Sequence, residues 1–99
     1  MKHTKNMIYK QTENSEALYI CTVNDGDLYR STIQPIIDNL RKKYQRGTFD
    51  PDKAADAFYP VATEEANRLR KQFGEVYSIT DRYTCAVDMV TRYTEDWEA

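Results

Sequence analysis

The chain has little of the equipment that common catalytic sites need. Its single histidine, His3, lies in a polar N-terminal stretch, residues 1–6, that we expect to be flexible. Its two cysteines, Cys21 and Cys85, are far apart and have no CxxC spacing or neighbouring histidine, so no zinc-ligand set is visible. Both lie in apolar stretches, which is typical of reduced cysteines that fill a core. We therefore predict a protein with no enzymatic activity, no cofactor and no metal centre.

Other residues and patterns that are scarce or absent exclude whole classes of protein. Only three glycines and three prolines, with 40% hydrophobic and 30% charged residues, indicate a folded, helix-rich chain rather than a disordered one. The absence of a long apolar run and of a secretory leader predicts a cytoplasmic protein without a membrane span. A net charge of -2 argues against both a strongly basic nucleic-acid binder and a densely acidic DNA mimic.

The N-terminal part has the composition of β-strands. Residues 7–12 alternate in character, and residues 17–23 are rich in β-branched and aromatic side chains. The polar residues 13–16 between them have the length of a hairpin turn, and residues 24–27 end the second strand. Since a lone hairpin is only marginally stable, it must pack on the rest of the chain. The sequence thus predicts a single α+β domain over residues 7–99, with an N-terminal two-stranded antiparallel hairpin packed on a three-helix bundle.

The first predicted helix starts near Leu28, after a possible cap at Asp25 or Asp27. Its apolar residues recur at steps of three and four, and Gly47 can end it. Pro35 interrupts this pattern, because a proline inside a helix removes a hydrogen bond and clashes with the preceding turn. We therefore predict a kink or a restart of the helix between residues 31 and 35.

The second predicted helix has the clearest end signals. Asp50 is a good N-cap, Pro51 suits the first helical position, and Gly74 can end the helix. Pro60 lies inside the run, which leaves two alternatives, a kinked helix or two shorter helices.

A connector and a third helix complete the predicted fold. Residues 76–79 could form a short strand, and Thr80 with Asp81 opens the last helix. Acidic residues at the C-terminal end of that helix oppose its dipole, so we expect the end to fray unless Trp97 docks against the domain.

Several short motifs resemble a pattern found in small proteins of bacteriophages and related mobile elements. They are NDGDLYR at residues 24–30, PII-x-NL at 35–40, GTFD at 47–50 and FG at 73–74. The chain departs from that pattern at Tyr59 and Pro60. The resemblance implies an intracellular role in the host cell, in which the protein binds a host protein. Inhibition of a bacterial defence system, as by an anti-CRISPR protein, is the specific form of this expectation.

Aromatic residues are plentiful, with eight tyrosines and an aromatic content of 12%. Tyrosine suits protein interfaces because it offers a large contact area with few rotors and a polar tip, but small domains also use it to fill thin cores. We weigh the two interpretations evenly. The interface candidates are residues of an expected edge strand and two tyrosines expected to be partly exposed: Tyr9, Lys10, Gln11, Tyr59 and Tyr77. The partner would be a host protein or a second copy of this chain.

Two basic clusters carry the alternative hypothesis, a nucleic-acid-associated regulator. They lie near the C-terminal ends of the first two predicted helices, where the helix dipole favours cations: Arg41, Lys42, Lys43 and Arg46, and then Arg68, Arg70 and Lys71. Antiparallel helices would keep the two clusters apart, which disfavours a single phosphate-binding patch.

The spacing of the acidic residues argues against a calcium site and against a pair of catalytic acids. Residues 24–27 resemble part of a calcium loop, but position twelve is Pro35 or Ile36 rather than glutamate, so we predict helix-capping acids instead. The pairs Glu64 with Glu65 and Asp50 with Asp52 could act as catalytic acids, but neighbouring residues of a helix do not face one another. We expect both pairs to be solvated.

Overall fold

The computed structural model describes residues 13–98, and all regular secondary structure in this part of the chain is helical. The helices are α1 (Glu13–Asn24), α2 (Gly26–Leu28), α3 (Gln34–Arg46), α4 (Pro51–Phe73) and α5 (Ile79–Glu98). A π-helical turn, Tyr29–Ile33, joins α2 to α3 without a break. Since no strand occurs among these residues, the predicted α+β fold is wrong, and this is a small all-helical domain. The predicted strand at 7–12 and the flexible segment 1–6 lie outside the described residues.

Helix α1 replaces the predicted turn and second strand. Its buried side chains, Ser15, Leu18 and Thr22, recur at steps of three and four and therefore form one helical face. The buried hydroxyl of Thr22 donates to the carbonyl of Leu18 at 2.7 Å. Because this hydrogen bond replaces the one to water, the hydroxyl can be buried at little cost. Packing of that face stabilises a helix despite the β-branched composition, because tertiary contacts outweigh intrinsic propensity.

Pro35 has the predicted effect on the next helix. Proline lacks an N–H, so the regular ladder cannot continue through it, and the turn before it widens to a π-helical one in which the amide of Gln34 bonds to the carbonyl of Tyr29. Helix α3 follows at Gln34 with Pro35 in its first turn, and Ile33 and Gln34 both keep helical φ and ψ. The predicted irregularity before Pro35 is therefore present as a widened turn, and the helix does not restart. It ends at Gly47, whose φ of 77° is the left-handed conformation that favours glycine.

Helix α4 begins and ends where the sequence predicts. The carboxylate of Asp50 accepts from the amide of Asp52 at 3.0 Å, and Gly74 ends the helix with a φ of 72°. Pro60 lies inside a continuous helix, so the alternative of two shorter helices is wrong.

Helix α5 begins with a reciprocal cap rather than with Thr80. The amide of Asp81 donates to Ser78 Oγ, and the amide of Ser78 donates to the Asp81 carboxylate, both at 3.0 Å. Residues 76–79 form no strand.

The C-terminal end of α5 is anchored by an aromatic cluster. The ring centroid of Trp97 lies 5.6 Å from that of Tyr44 and 5.9 Å from that of Phe49. Trp97 thus docks against the α3–α4 connection. Docking of Trp97 is the predicted condition under which the C-terminal end of the last helix does not fray.

The core lies mainly between α4 and α5, with α1 and the π-helical turn closing it. Its fully buried large side chains include Leu18, Ile33, Phe58 and Met89. At the surface, α1 meets α5 where the guanidinium of Arg92 lies 4.7 Å from the ring centroid of Tyr19. Helix α3, by contrast, touches α4 only lightly, which leaves a groove between them.

Candidate binding surfaces

Glu65 is buried, so the expectation that it is solvated is wrong. Its side chain is 1% exposed and accepts two hydrogen bonds from Arg68, at 3.0 Å from Nε and 2.7 Å from the terminal nitrogen. Arg68 Nε also lies 3.8 Å from a carboxylate oxygen of Asp25. Hydrogen bonding to Glu65 raises the pKa of Arg68, so the guanidinium stays charged. Through its contact with Asp25, the N-cap of α2, Arg68 links α4 to the start of α2.

The other acidic residues singled out by the sequence have local roles. Asp50 caps α4, and the carboxylate of Asp25 caps α2 by accepting from the amide of Leu28 at 3.1 Å, as predicted. Asp27 pairs with Arg30 at 3.0 Å, and Glu64 is exposed. Among the described residues, no group of His, Cys, Asp or Glu is arranged to hold a metal ion.

The two basic clusters are exposed and lie at different ends of the molecule. Arg68 contacts Asp25, at the start of the long helical stretch of residues 26–46, whereas Arg41 to Arg46 occupy its last turns. Sixteen residues separate positions 25 and 41, which is about 24 Å of helix. The seven cations therefore form no continuous patch, and Arg68 is already committed to Glu65.

Two of the interface candidates, Tyr59 and Tyr77, are half-buried and lie near the same arginine. The guanidinium of Arg82 lies 5.7 Å from the ring centroid of Tyr59, and Arg82 also lines a hollow of about 110 Å³ together with Tyr77 and Val76. The ring centroid of Tyr59 lies 5.5 Å from that of Tyr83, with the ring planes tilted by 41°. The other three candidates, Tyr9, Lys10 and Gln11, lie outside the described residues.

The hydroxyl of Tyr77 is held by its neighbour. It donates to the carboxylate of Glu75 at 3.2 Å. Burial, and then the nearby Glu75 charge, raise the pKa of Tyr77 to about 12, so the phenol remains a neutral donor.

The cysteines differ in environment, so the prediction that both fill the core is half right. Cys85 is fully buried, and this burial raises the pKa of its thiol to about 12. Cys21 is half-buried at the surface of α1, and burial raises its pKa as well.

Three large apolar side chains are exposed in and beside the α4–α5 connection. Phe73, Val76 and Ile79 expose 64%, 76% and 66% of their surfaces. We call these three residues the apolar tip. Sequence reasoning missed it, because Phe73 fits the apolar face of α4 and Ile79 fits a short strand. Exposed large apolar side chains that occur together are a mark of interaction sites.

A groove of about 570 Å³ separates α3 from α4 at the opposite end of α4. Four of its nine lining residues are apolar, and we call these four the floor of the groove. The other five are polar and include one lysine from each wall of the groove, Lys43 from α3 and Lys53 from α4. The floor consists of Pro35, Ile36, Leu40 and Ala57, and the remaining polar residues are Asn39, Thr48 and Asp50.

Comparison with known proteins adds no relative. No protein-family model, curated protein or solved structure matches this chain significantly. Within residues 13–98, no helix has the length and apolar character needed to cross a bilayer.

Proposed function

We propose that this domain acts by binding another protein through the apolar tip and the tyrosines beside it, and not by catalysis. The observation that carries the proposal is the exposure of Phe73, Val76 and Ile79, three large apolar side chains within seven residues of one connection. Exposed in water, these side chains gain nothing from folding, whereas burial against a partner removes their apolar surface from water.

The surroundings of the tip support a specific interface. Arg82 connects the tip with Tyr59 and Tyr77. It packs on the ring of Tyr59, and it lines one hollow together with Tyr77 and the tip residue Val76. Tyrosine and arginine are the residue types that most often dominate binding energy in protein interfaces. Both tyrosines are already half-buried, so they lose little conformational freedom when a partner covers them.

The partner follows from the resemblance of the motifs to those of phage and mobile-element proteins. In that setting the domain binds a host protein, and the specific form of the proposal is inhibition of a bacterial defence component. A second copy of the chain is the competing occupant of the same surface.

The test compares a tip variant with a matched control. The variant carries Val76→Ser and Ile79→Ser, and the control carries Ile20→Ser, which makes the same chemical change at an exposed position of α1. Each tagged protein is used for affinity capture from nuclease-treated bacterial lysate, and captured proteins are then purified and titrated directly. Sedimentation velocity of the wild type, the tip variant and the control measures self-association.

The proposal expects one partner that binds the wild type and the control equally and the tip variant at least about tenfold more weakly. Tyr59→Ala should weaken the same complex when binding is measured well below the melting temperature. Because the half-buried ring of Tyr59 contacts Tyr83 and Arg82, the truncation should also lower the free energy of unfolding by about 1–3 kcal/mol. Equal binding by the tip variant would refute the proposal. Self-association lost in the tip variant alone would assign the surface to a homodimer instead of a host protein.

A further inference from the structure

We infer that the groove between α3 and α4 is a second docking site, which takes an acidic, amphipathic helix of a partner protein. This inference does not rest on the apolar tip. The groove lies near the N-terminal end of α4 and the tip at its C-terminal end. The groove residue Ala57 and the tip residue Phe73 are sixteen positions apart on α4, which is about 24 Å of helix.

The shape of the groove fits a helix. The residues that line it from α3 recur at helical spacing (35, 36, 39, 40 and 43), and those from α4, 53 and 57, are one turn apart. Two rows of this kind on neighbouring helices border a channel into which the ridge of a third helix can pack. The floor of the channel is apolar and includes Ile36, which is only partly buried, so an apolar helix face would complete its burial.

The charge of the groove selects an acidic occupant. Neither Lys43 nor Lys53 forms an ion pair within the described part of the chain, and they stand on opposite walls. The one carboxylate in the lining, that of Asp50, already accepts from the amide of Asp52 as the cap of α4. The last turns of α3 add exposed cations without an acidic residue between positions 39 and 49. Glutamates flanking the apolar face of a bound helix would meet both lysines.

A peptide helix fits these features better than a nucleic acid. A phosphate backbone would use the lysines but leave the apolar floor without a partner, and the chain as a whole has a net charge of -2. DNA binding is therefore an outcome that the experiment must separate.

The experiment selects peptides and then maps their site. A displayed library of amphipathic helices, with randomised apolar and charged positions, is selected against the wild-type protein. Recovered peptides are labelled and titrated by fluorescence anisotropy at low and high salt, and a DNA duplex is titrated in parallel.

Three variants locate the binding. Lys43→Glu with Lys53→Glu reverses both wall charges, and Ala57→Gln fills the floor with a residue that suits a helix. The control, Arg70→Glu with Lys71→Glu, makes the same charge change at exposed positions near the C-terminal end of α4, outside the groove lining. Circular dichroism confirms that each variant retains its helices.

We expect recovered peptides to carry acidic residues beside an apolar face. Their affinity should fall at least about tenfold in the wall variant and with rising salt, because screening weakens the ion pairs. Ala57→Gln should weaken binding at both salt concentrations, and the control should change it less than about twofold. Failure to recover acidic helices, equal binding by the wall variant, or tight duplex binding that the wall variant abolishes would each overturn the inference.

Discussion

Phe49 gives the sharpest test of how α5 is anchored. Its ring centroid lies 5.8 Å from Tyr44 and 5.9 Å from Trp97, with interplanar angles of 66° and 88°. Edge-to-face pairs of this kind contribute about 0.5–1.5 kcal/mol each beyond the area that they bury. Phe49→Ala removes two such pairs, which amounts to about 1–3 kcal/mol.

Lost burial adds to this figure. Phe49 is half-buried, so truncation also forfeits about half of the 1.5–3 kcal/mol that full burial of such a side chain contributes, or about 1 kcal/mol. The expected decrease in the free energy of unfolding is therefore about 2–4 kcal/mol.

Urea denaturation followed by circular dichroism measures the change, and Trp97, the only tryptophan of the chain, reports the cluster by its fluorescence. Phe73→Ala is the matched control, because Phe73 is 64% exposed and its truncation should change stability by less than about 0.5 kcal/mol. Equal effects of the two truncations, with unchanged Trp97 emission in Phe49→Ala, would refute the anchoring role.

Four further predictions concern local features of the helices. Asp50→Ala removes the cap of α4 and should cost about 1 kcal/mol in chemical denaturation, so an unchanged midpoint would contradict the cap. Pro60→Ala restores a helical amide at an exposed position and should raise the melting temperature, since proline costs up to about 3 kcal/mol relative to alanine inside a helix. A thiol reagent should label Cys21 in the native protein and Cys85 only after unfolding; rapid native labelling of Cys85 would show that its burial is wrong. The thiol of Cys85 titrates at about 12 when folded and near 9.0 when unfolded. The unfolded chain therefore binds fewer protons between these values, and stability should fall as pH rises through them, by up to about 1.4 kcal/mol per pH unit. Cys85→Ala should flatten that decline in denaturation curves measured at a series of alkaline pH values.

The sequence did not lead us to two features of the candidate binding surfaces, the Glu65–Arg68 pair and the apolar tip. The Glu65–Arg68 pair has a visible signal, an acid and a base three residues apart on a helix, but that spacing is common on solvated faces. Burial of Glu65 depends on the packing of α1 against α4 and on Asp25, the cap of α2, which reaches Arg68. The apolar tip depends on where α4 ends and α5 begins, because the same residues in a strand would have been half-buried.

Helix ends were determined by the sequence itself. These features depend on chemistry within a few residues. A carboxylate reaches a free amide at Asp50, a glycine adopts positive φ at Gly47 and Gly74, and a ring without an N–H widens the turn before Pro35. Such interactions need no distant partner, so they can be read from the chain alone.

The conformation of α1 was decided by tertiary structure. Its β-branched and aromatic residues favour a strand locally, and its single helical stripe consists of a serine, a leucine and a threonine, Ser15, Leu18 and Thr22. That stripe becomes apolar enough to pack only when the hydroxyl of Thr22 bonds to its own helix and α4 and α5 cover it. The free energy that favours the helix comes from burial against elements more than thirty residues away, which no local pattern contains.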